Sequence, residues 1–141
     1  MESVKNTKIT VEVLINAQLE KVWEQFNSPA HIIHWCFASD DWHAPAAEND
    51  FREGGKSKTV MAAKDGSFSF DFEWIYTKIE DLAIVEYILE DGREVSVQFE
   101  QTADGIKVTE TFDPEQENTL ELQRAGWQAI LENFKKYVEQ N

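Results

Sequence analysis

Between Asp41 and Phe112 the chain is cut into short alternating segments by Gly54-Gly55, Asp65-Gly66, Asp91-Gly92 and Asp104-Gly105. This punctuation limits the fold more than any other feature. Asp-Gly pairs supply the positive φ angles that tight hairpins need, so the segments they join should pair as antiparallel neighbours. Phe68, Phe70, Phe72, Trp74 and Tyr76 fall on one side of such a segment, with Ser67, Ser69, Asp71 and Glu73 on the other. Val95, Val97 and Phe99 share a face, as do Ile106, Val108, Glu110 and Phe112. A meander of this kind can have one apolar and one wet face.

An apolar sheet face needs a cover. Upstream, Thr7 to Ile15 alternates as a further strand, with Ile9, Val11, Val13 and Ile15 on one side. Asn16 is a candidate cap for a helix carrying Leu19, Val22, Trp23 and Phe26 at helical spacing. Ser28-Pro29 restarts a short helix with Ile32, Ile33 and Trp35. Downstream, the turn at Asp113-Pro114 leads into a helix expected over about Asn118 to Glu139, roughly 33 Å long. Its apolar stripe is Leu120, Trp127, Ile130, Leu131, Phe134, Tyr137 and Val138; Glu121, Gln128, Glu132, Lys135 and Glu139 make the wet side. Only this helix is large enough to cover the sheet, which predicts a two-layer α+β fold. Gly126 in its middle costs about 1 kcal/mol and predicts close approach to a strand or a bound group.

The 141 residues fit one domain, 1–141, with no repeat or linker. Five Trp and nine Phe call for a large core or a lined cavity. The net charge of −14 argues against nucleic-acid and membrane-surface partners and reads as a solubility device. Cys36 is the only cysteine, so no internal disulfide can form. The opening residues lack an apolar signal core, and no apolar run approaches the ~18 residues of a membrane span. The expected location is cytoplasmic.

Four local patterns resemble the family of homologues of the activator of heat-shock-protein-90 ATPase, within the START-like (SRPBCC) superfamily. They are Val22-Trp23 in the first helix, the block Asp50-Phe51-Arg52-Glu53-Gly54-Gly55-Lys56, Phe72-x-x-x-Tyr76-x-x-Ile79, and Gly126-Trp127-x-x-x-Leu131-x-x-Phe134. Their order spans about Ile9 to Val138. The resemblance implies a helix-grip fold: a curved antiparallel sheet wrapped around the long C-terminal helix, two short helices after the first strand, and an apolar cavity between sheet and helix. It does not imply one chemistry, since relatives include lipid carriers, cyclases, plant ligand binders and a co-chaperone domain. Trp74 stands where the family usually has glycine, which predicts a cavity partly filled or a mouth reshaped. Glu80-Asp81 replaces the proline usual after the Tyr-x-x-Ile segment. The N-terminal domain that accompanies the eukaryotic co-chaperone has no counterpart in the sequence, which ranks a chaperone partner last.

Candidate site residues follow from face and chemistry. Trp35, Phe37, Trp42, Phe70, Phe72, Trp127 and Leu131 are candidates to line the cavity; plain core is the competing reading for any single ring. Glu110, on the same side as Val108 and Phe112, would be desolvated, with a raised pKa suited to acid/base work or to fixing a polar ligand atom. The alternatives are that it turns to water or pairs with Arg52. Arg52 is a candidate clamp for a ligand carboxylate or a brace for its own turn. His31, His34, Cys36 and His43 lack the closed four-ligand pattern of structural zinc, so no metal is expected. Cys36 has no adjacent cation and reads as a small buried hydrophobe. No phosphate loop or recognisable catalytic motif is present, and no cofactor is expected.

The first expectation is therefore a binding module for a small apolar or amphipathic ligand. An enzyme of cyclase, isomerase or hydrolase type using Glu110 comes second. A protein-interaction module, akin to the co-chaperone relative, comes third. A homodimer through edge strands stays open.

Overall fold

The computed structural model describes residues 8–140. Thr7, the expected start of the first strand, and the opening residues read for a signal core lie outside them. The order is β1 (Ile9–Ile15), α1 (Leu19–Asn27), α2 (Pro29–Ile32), β2 (Trp42–Asn49), β3 (Lys56–Ala63), β4 (Ser69–Glu80), β5 (Ile84–Leu89), β6 (Glu94–Thr102), β7 (Gly105–Phe112) and α3 (Leu120–Gln140). Seven antiparallel strands form one curled sheet in the order β1-β7-β6-β5-β4-β3-β2, packed against α3. This is the expected two-layer α+β, helix-grip architecture. No helix among the described residues is long and apolar enough to cross a membrane.

The alternation read from sequence becomes the inner face. Ile9, Phe112, Val95, Tyr87 and Tyr76 pair in a row across β1, β7, β6, β5 and β4, and all five are buried. One step along, Val11, Glu110, Val97, Val85 and Ile79 form a second row. Phe134, Leu131 and Val138 of α3, with Val22, Trp23 and Phe26 of α1, close the core over them. Phe26 meets Phe134 edge to face at 5.1 Å and Phe99 at 5.4 Å, which ties α1 to both layers.

The helix ends differ in part from expectation. Gln18, not Asn16, takes the cap position of α1, and no side chain bonds there. Asn16 instead donates its backbone N–H to Glu139 Oε2 at 2.9 Å. Pro29 does open α2, but the Ser28 side chain makes no cap bond. At α3 the Thr119 hydroxyl accepts from the Leu122 N–H at 3.1 Å, a true side-chain cap. Leu120 is 44% exposed rather than part of the buried stripe.

Alongside β1, α3 reaches over the sheet edge. Arg124 Nη1, Gln128 Nε2 and Lys135 Nζ donate to the carbonyls of Thr10, Glu12 and Leu14 at 2.9, 3.1 and 2.6 Å. From Arg124 to Gln128 the helix rises about 6 Å against about 6.6 Å for two strand residues, so the first two bonds keep step; the seven residues on to Lys135 rise about 10.5 Å, and its long side chain spans the difference back to Leu14.

The Asp50–Lys56 block is a docked turn. Gly54 N–H donates to the Tyr76 carbonyl at 2.8 Å, and the Gly55 carbonyl accepts from the Tyr76 N–H at 2.9 Å. Glu53 Oε2 accepts from the Ile79 N–H at 3.0 Å. A Cβ on Gly55 would lie 1.9 Å from the Asp50 carbonyl oxygen, so only glycine fits. The turn thus holds β4 where its pairing with β5 slips between Tyr76 and Lys78.

Candidate functional site

A cavity of about 310 Å³ lies between the inner sheet face and α3. Its walls are rings: Phe70, Phe72, Trp74 and Tyr76 from β4, Tyr87 from β5, Trp127 from α3, Phe26 from α1 and Trp35 just past α2. Met61, Val85, Ile32 and Ile130 fill between them. These residues arrive together because alternation sends every second side chain of β4 inward while α3 presents Gln123, Trp127 and Ile130 at helical spacing.

Trp74 does not fill the space. It lies flat on Tyr87, centroids 4.2 Å apart at 21°, and meets Phe72 edge to face at 5.2 Å. Trp127 is stacked on Phe112 at 3.8 Å, and Phe72 meets it across the cavity at 6.5 Å. The bulky ring at the family's usual glycine therefore forms wall.

Glu110 is 7% exposed and lines the cavity. Its β1 and β6 neighbours in register are Val11 and Val97. Among the described residues its carboxyl has no hydrogen-bond or ion-pair partner. Burial with nothing to stabilise the anion pushes its pKa up to about 8. Burial, then the Glu110 charge, pushes the Cys36 thiol up to about 12. The Tyr87 hydroxyl is raised by the same two causes, burial first. Cys36 is therefore a buried thiol on the cavity wall with no thiolate character near neutral pH. On β3, the fully buried Thr59 hydroxyl has no hydrogen-bond partner among the described residues, on the same face as Met61.

Of the residues singled out from sequence, Trp35, Phe70, Phe72, Glu110 and Trp127 are brought together on the cavity wall. The others lie elsewhere. Leu131 is 1% exposed and belongs to the solid core. Trp42 pairs with Ala63 and packs with Phe68 and Phe70, each at 6.1 Å, at the β3–β4 hairpin beside the cavity, and it is not among the lining residues. Phe37 sits in the loop after α2, where Asn133 Nδ2 bonds its carbonyl at 3.5 Å. Arg52 stays in its turn, with Nε on Asp50 Oδ2 at 2.8 Å, far from pairing with Glu110. The strand reading of Gly126 also needs correction, because a Cβ there would meet nothing within 4 Å. His31 and His34 flank Tyr137: His31 Nδ1 is 2.7 Å from its hydroxyl, and the His34 ring stacks on it at 5.7 Å.

Tyr87, Tyr76 and Val85 were missed as wall residues. The signal was present in Val85, Tyr87 and Leu89, which alternate before the Asp91-Gly92 turn.

The description "Activator of Hsp90 ATPase homolog 1-like protein" matches residues 16–139. The chain belongs to this family. Two solved structures place it closely within the family fold. An AHSA1-like protein from Aeromonas hydrophila is 45% identical, with a TM-score of 0.90, covering 95% of this chain and 93% of that one. A protein from Cytophaga hutchinsonii is 53% identical, with a TM-score of 0.82 over the same shares. A protein from Nitrosomonas europaea, 15% identical with a TM-score of 0.80, shares the fold alone. A search of the curated proteins found no match. The four sequence patterns that suggested the family all fall on the frame just described: α1, the docked turn, β4 and α3.

Proposed function

We propose that the domain binds a small apolar or amphipathic molecule in the cavity between sheet and α3. The observation that carries this reading is a ring-walled space left open in an otherwise filled core. Close packing is the rule in protein interiors, and an unfilled apolar cavity of this size lies within the range of ligand sites, ~300–1,000 Å³. An engineered apolar cavity of about 150 Å³ holds benzene, so this one suits a guest of about two rings. Burial at ~25 cal/mol per Å² supplies the affinity, and Glu110 on the wall supplies a polar contact that orients the guest. Family membership supports the reading at the level of the domain type.

A second reading has one observation in its favour. A carboxyl that titrates near neutral pH inside a cavity is suited to general acid/base work. Glu110→Gln separates the two, since it abolishes turnover in an enzyme and only retunes affinity in a binder.

Paired native and denaturing mass spectrometry of freshly purified protein tests the proposal. A small extra mass in the native spectrum alone is the expected result. No extra mass, together with no binding of apolar probes such as naphthylethanol, would sink it.

A further inference from the structure

We propose that the preferred guest is a hydrophobic cation, an aromatic or aliphatic amine whose ammonium pairs with the unpartnered Glu110 carboxyl while its body lies among the cavity rings. The inference rests on the binding reading above and names the chemistry of the guest.

The charged residues lining the cavity are Arg93, Glu110 and Glu115. Two of them are occupied. Arg93 Nε donates to Asp91 Oδ2 at 2.8 Å. Glu115 accepts from the Glu117 and Asn118 N–H groups and from Asn118 Nδ2. Glu110 alone of the three has no partner among the described residues, and it is the most deeply buried of them. A carboxyl held in that condition has a strong deficit that a cation removes. A guest carboxylate or phosphate would instead bring a desolvated negative charge into the same place, and would be repelled wherever Glu110 is ionised.

The walls point the same way. Trp74, Tyr87, Tyr76, Trp35 and Trp127 line the cavity, and the electron-rich faces of such rings attract ammonium groups. Among the described residues no lysine lines the cavity, and the one arginine that does is engaged with Asp91. The net charge of −14 raises the local concentration of cations around the molecule.

Protonation adds a signature. With Glu110 titrating at about 8, an amine bound near neutral pH must displace its proton. The titratable groups facing Glu110 do not share that window. Cys36, from the segment after α2, is pushed up to about 12, and Tyr87 of β5 and Tyr76 of β4 are raised above the ordinary tyrosine value. Glu115 at the β7–α3 link is lowered. Arg93 at the β5–β6 turn is engaged with Asp91. From α1, α3, β1, β3 and β6 only uncharged side chains face the cavity.

The test compares naphthylethylamine, naphthylethanol and naphthylacetate by titration calorimetry, on the native chain and on Glu110→Gln. At pH 8 the amine should bind at least about tenfold more tightly than the alcohol, and the acetate most weakly. Amine affinity should climb about tenfold between pH 6 and 7 and level off above 8, while alcohol affinity stays flat. Glu110→Gln should erase the amine's advantage over the alcohol and the pH dependence of amine binding. Circular dichroism confirms that the variant is folded, and Glu110→Leu serves as a second variant with the same expected loss. If the alcohol matches the amine, or the amine's advantage survives both variants, the cation inference falls and the cavity reading stands. If none of the three probes binds, both fall.

Discussion

Replacing Glu110 by Gln should make the domain more stable, by an amount that depends on pH in a specified way. The carboxyl moves from 4.5 when exposed to about 8 in the fold. Below pH 4.5 it is protonated in both states, and the variant and the native chain should agree within about 1 kcal/mol. Between 4.5 and 8 the folded chain keeps a proton that the unfolded chain has lost, so stability declines as pH rises, by about 1.4 kcal/mol per unit. The full difference is about 5 kcal/mol, reached near pH 8 and constant above it. Asp65, Glu73, Asp113, Glu115 and Glu139 are lowered in the fold and act in the opposite sense, losing stability as pH falls. Both proteins share them, so they cancel in the difference. Urea unfolding of both proteins from pH 5 to 9 reads this directly. Parallel curves would refute the reasoning, because they would mean that Glu110 ionises as freely in the fold as in the open chain.

Two further substitutions probe the frame. Gly126→Ala should raise stability by about 1 kcal/mol, or about 4 °C in Tm, from helix propensity alone. Gly126 lies on the helix surface between Gln123 and Ile130, both on the cavity wall, so the added methyl should also weaken naphthylethanol binding several-fold. A more stable variant that binds equally well would remove this glycine from the site. Gly55→Ala forces a Cβ onto the Asp50 carbonyl and should cost about 2–4 kcal/mol in urea unfolding; a loss below about 0.5 kcal/mol would show that the docked turn gives way freely.

Much of the architecture was legible because alternation and turn chemistry are local. Val95, Val97 and Phe99 on one face, and Asp91-Gly92 before them, specify a hairpin strand with little ambiguity. The inward direction of Glu110 was legible for the same reason. What alternation lacks is depth. Leu131 and Trp127 sit four residues apart on one helix stripe, yet one is sealed in core and the other faces open space. The curl of the sheet decides between them, and that is set by the slip after Tyr76 and by the turn docked against it. Arg52 shows a second blind spot: a charged side chain in a tight turn finds its nearest neighbour, Asp50, before any distant site. Asn16 shows a third: it stands two residues before the cap position, and its backbone N–H is held by the Glu139 carboxylate far along the chain.

The row of bonds from Arg124, Gln128 and Lys135 onto the β1 carbonyls bears on kinetics as much as on stability. With Glu139 on the Asn16 N–H, α3 is fastened along most of its length, and swinging it outward would break all four attachments together. On the binding reading proposed above, a guest would exchange past the β3–β4 side, where Phe68 and Phe70 stand 58% and 42% exposed. Residence time and global unfolding would thus answer to different parts of the molecule, so a guest could come and go many times within the lifetime of one folded chain.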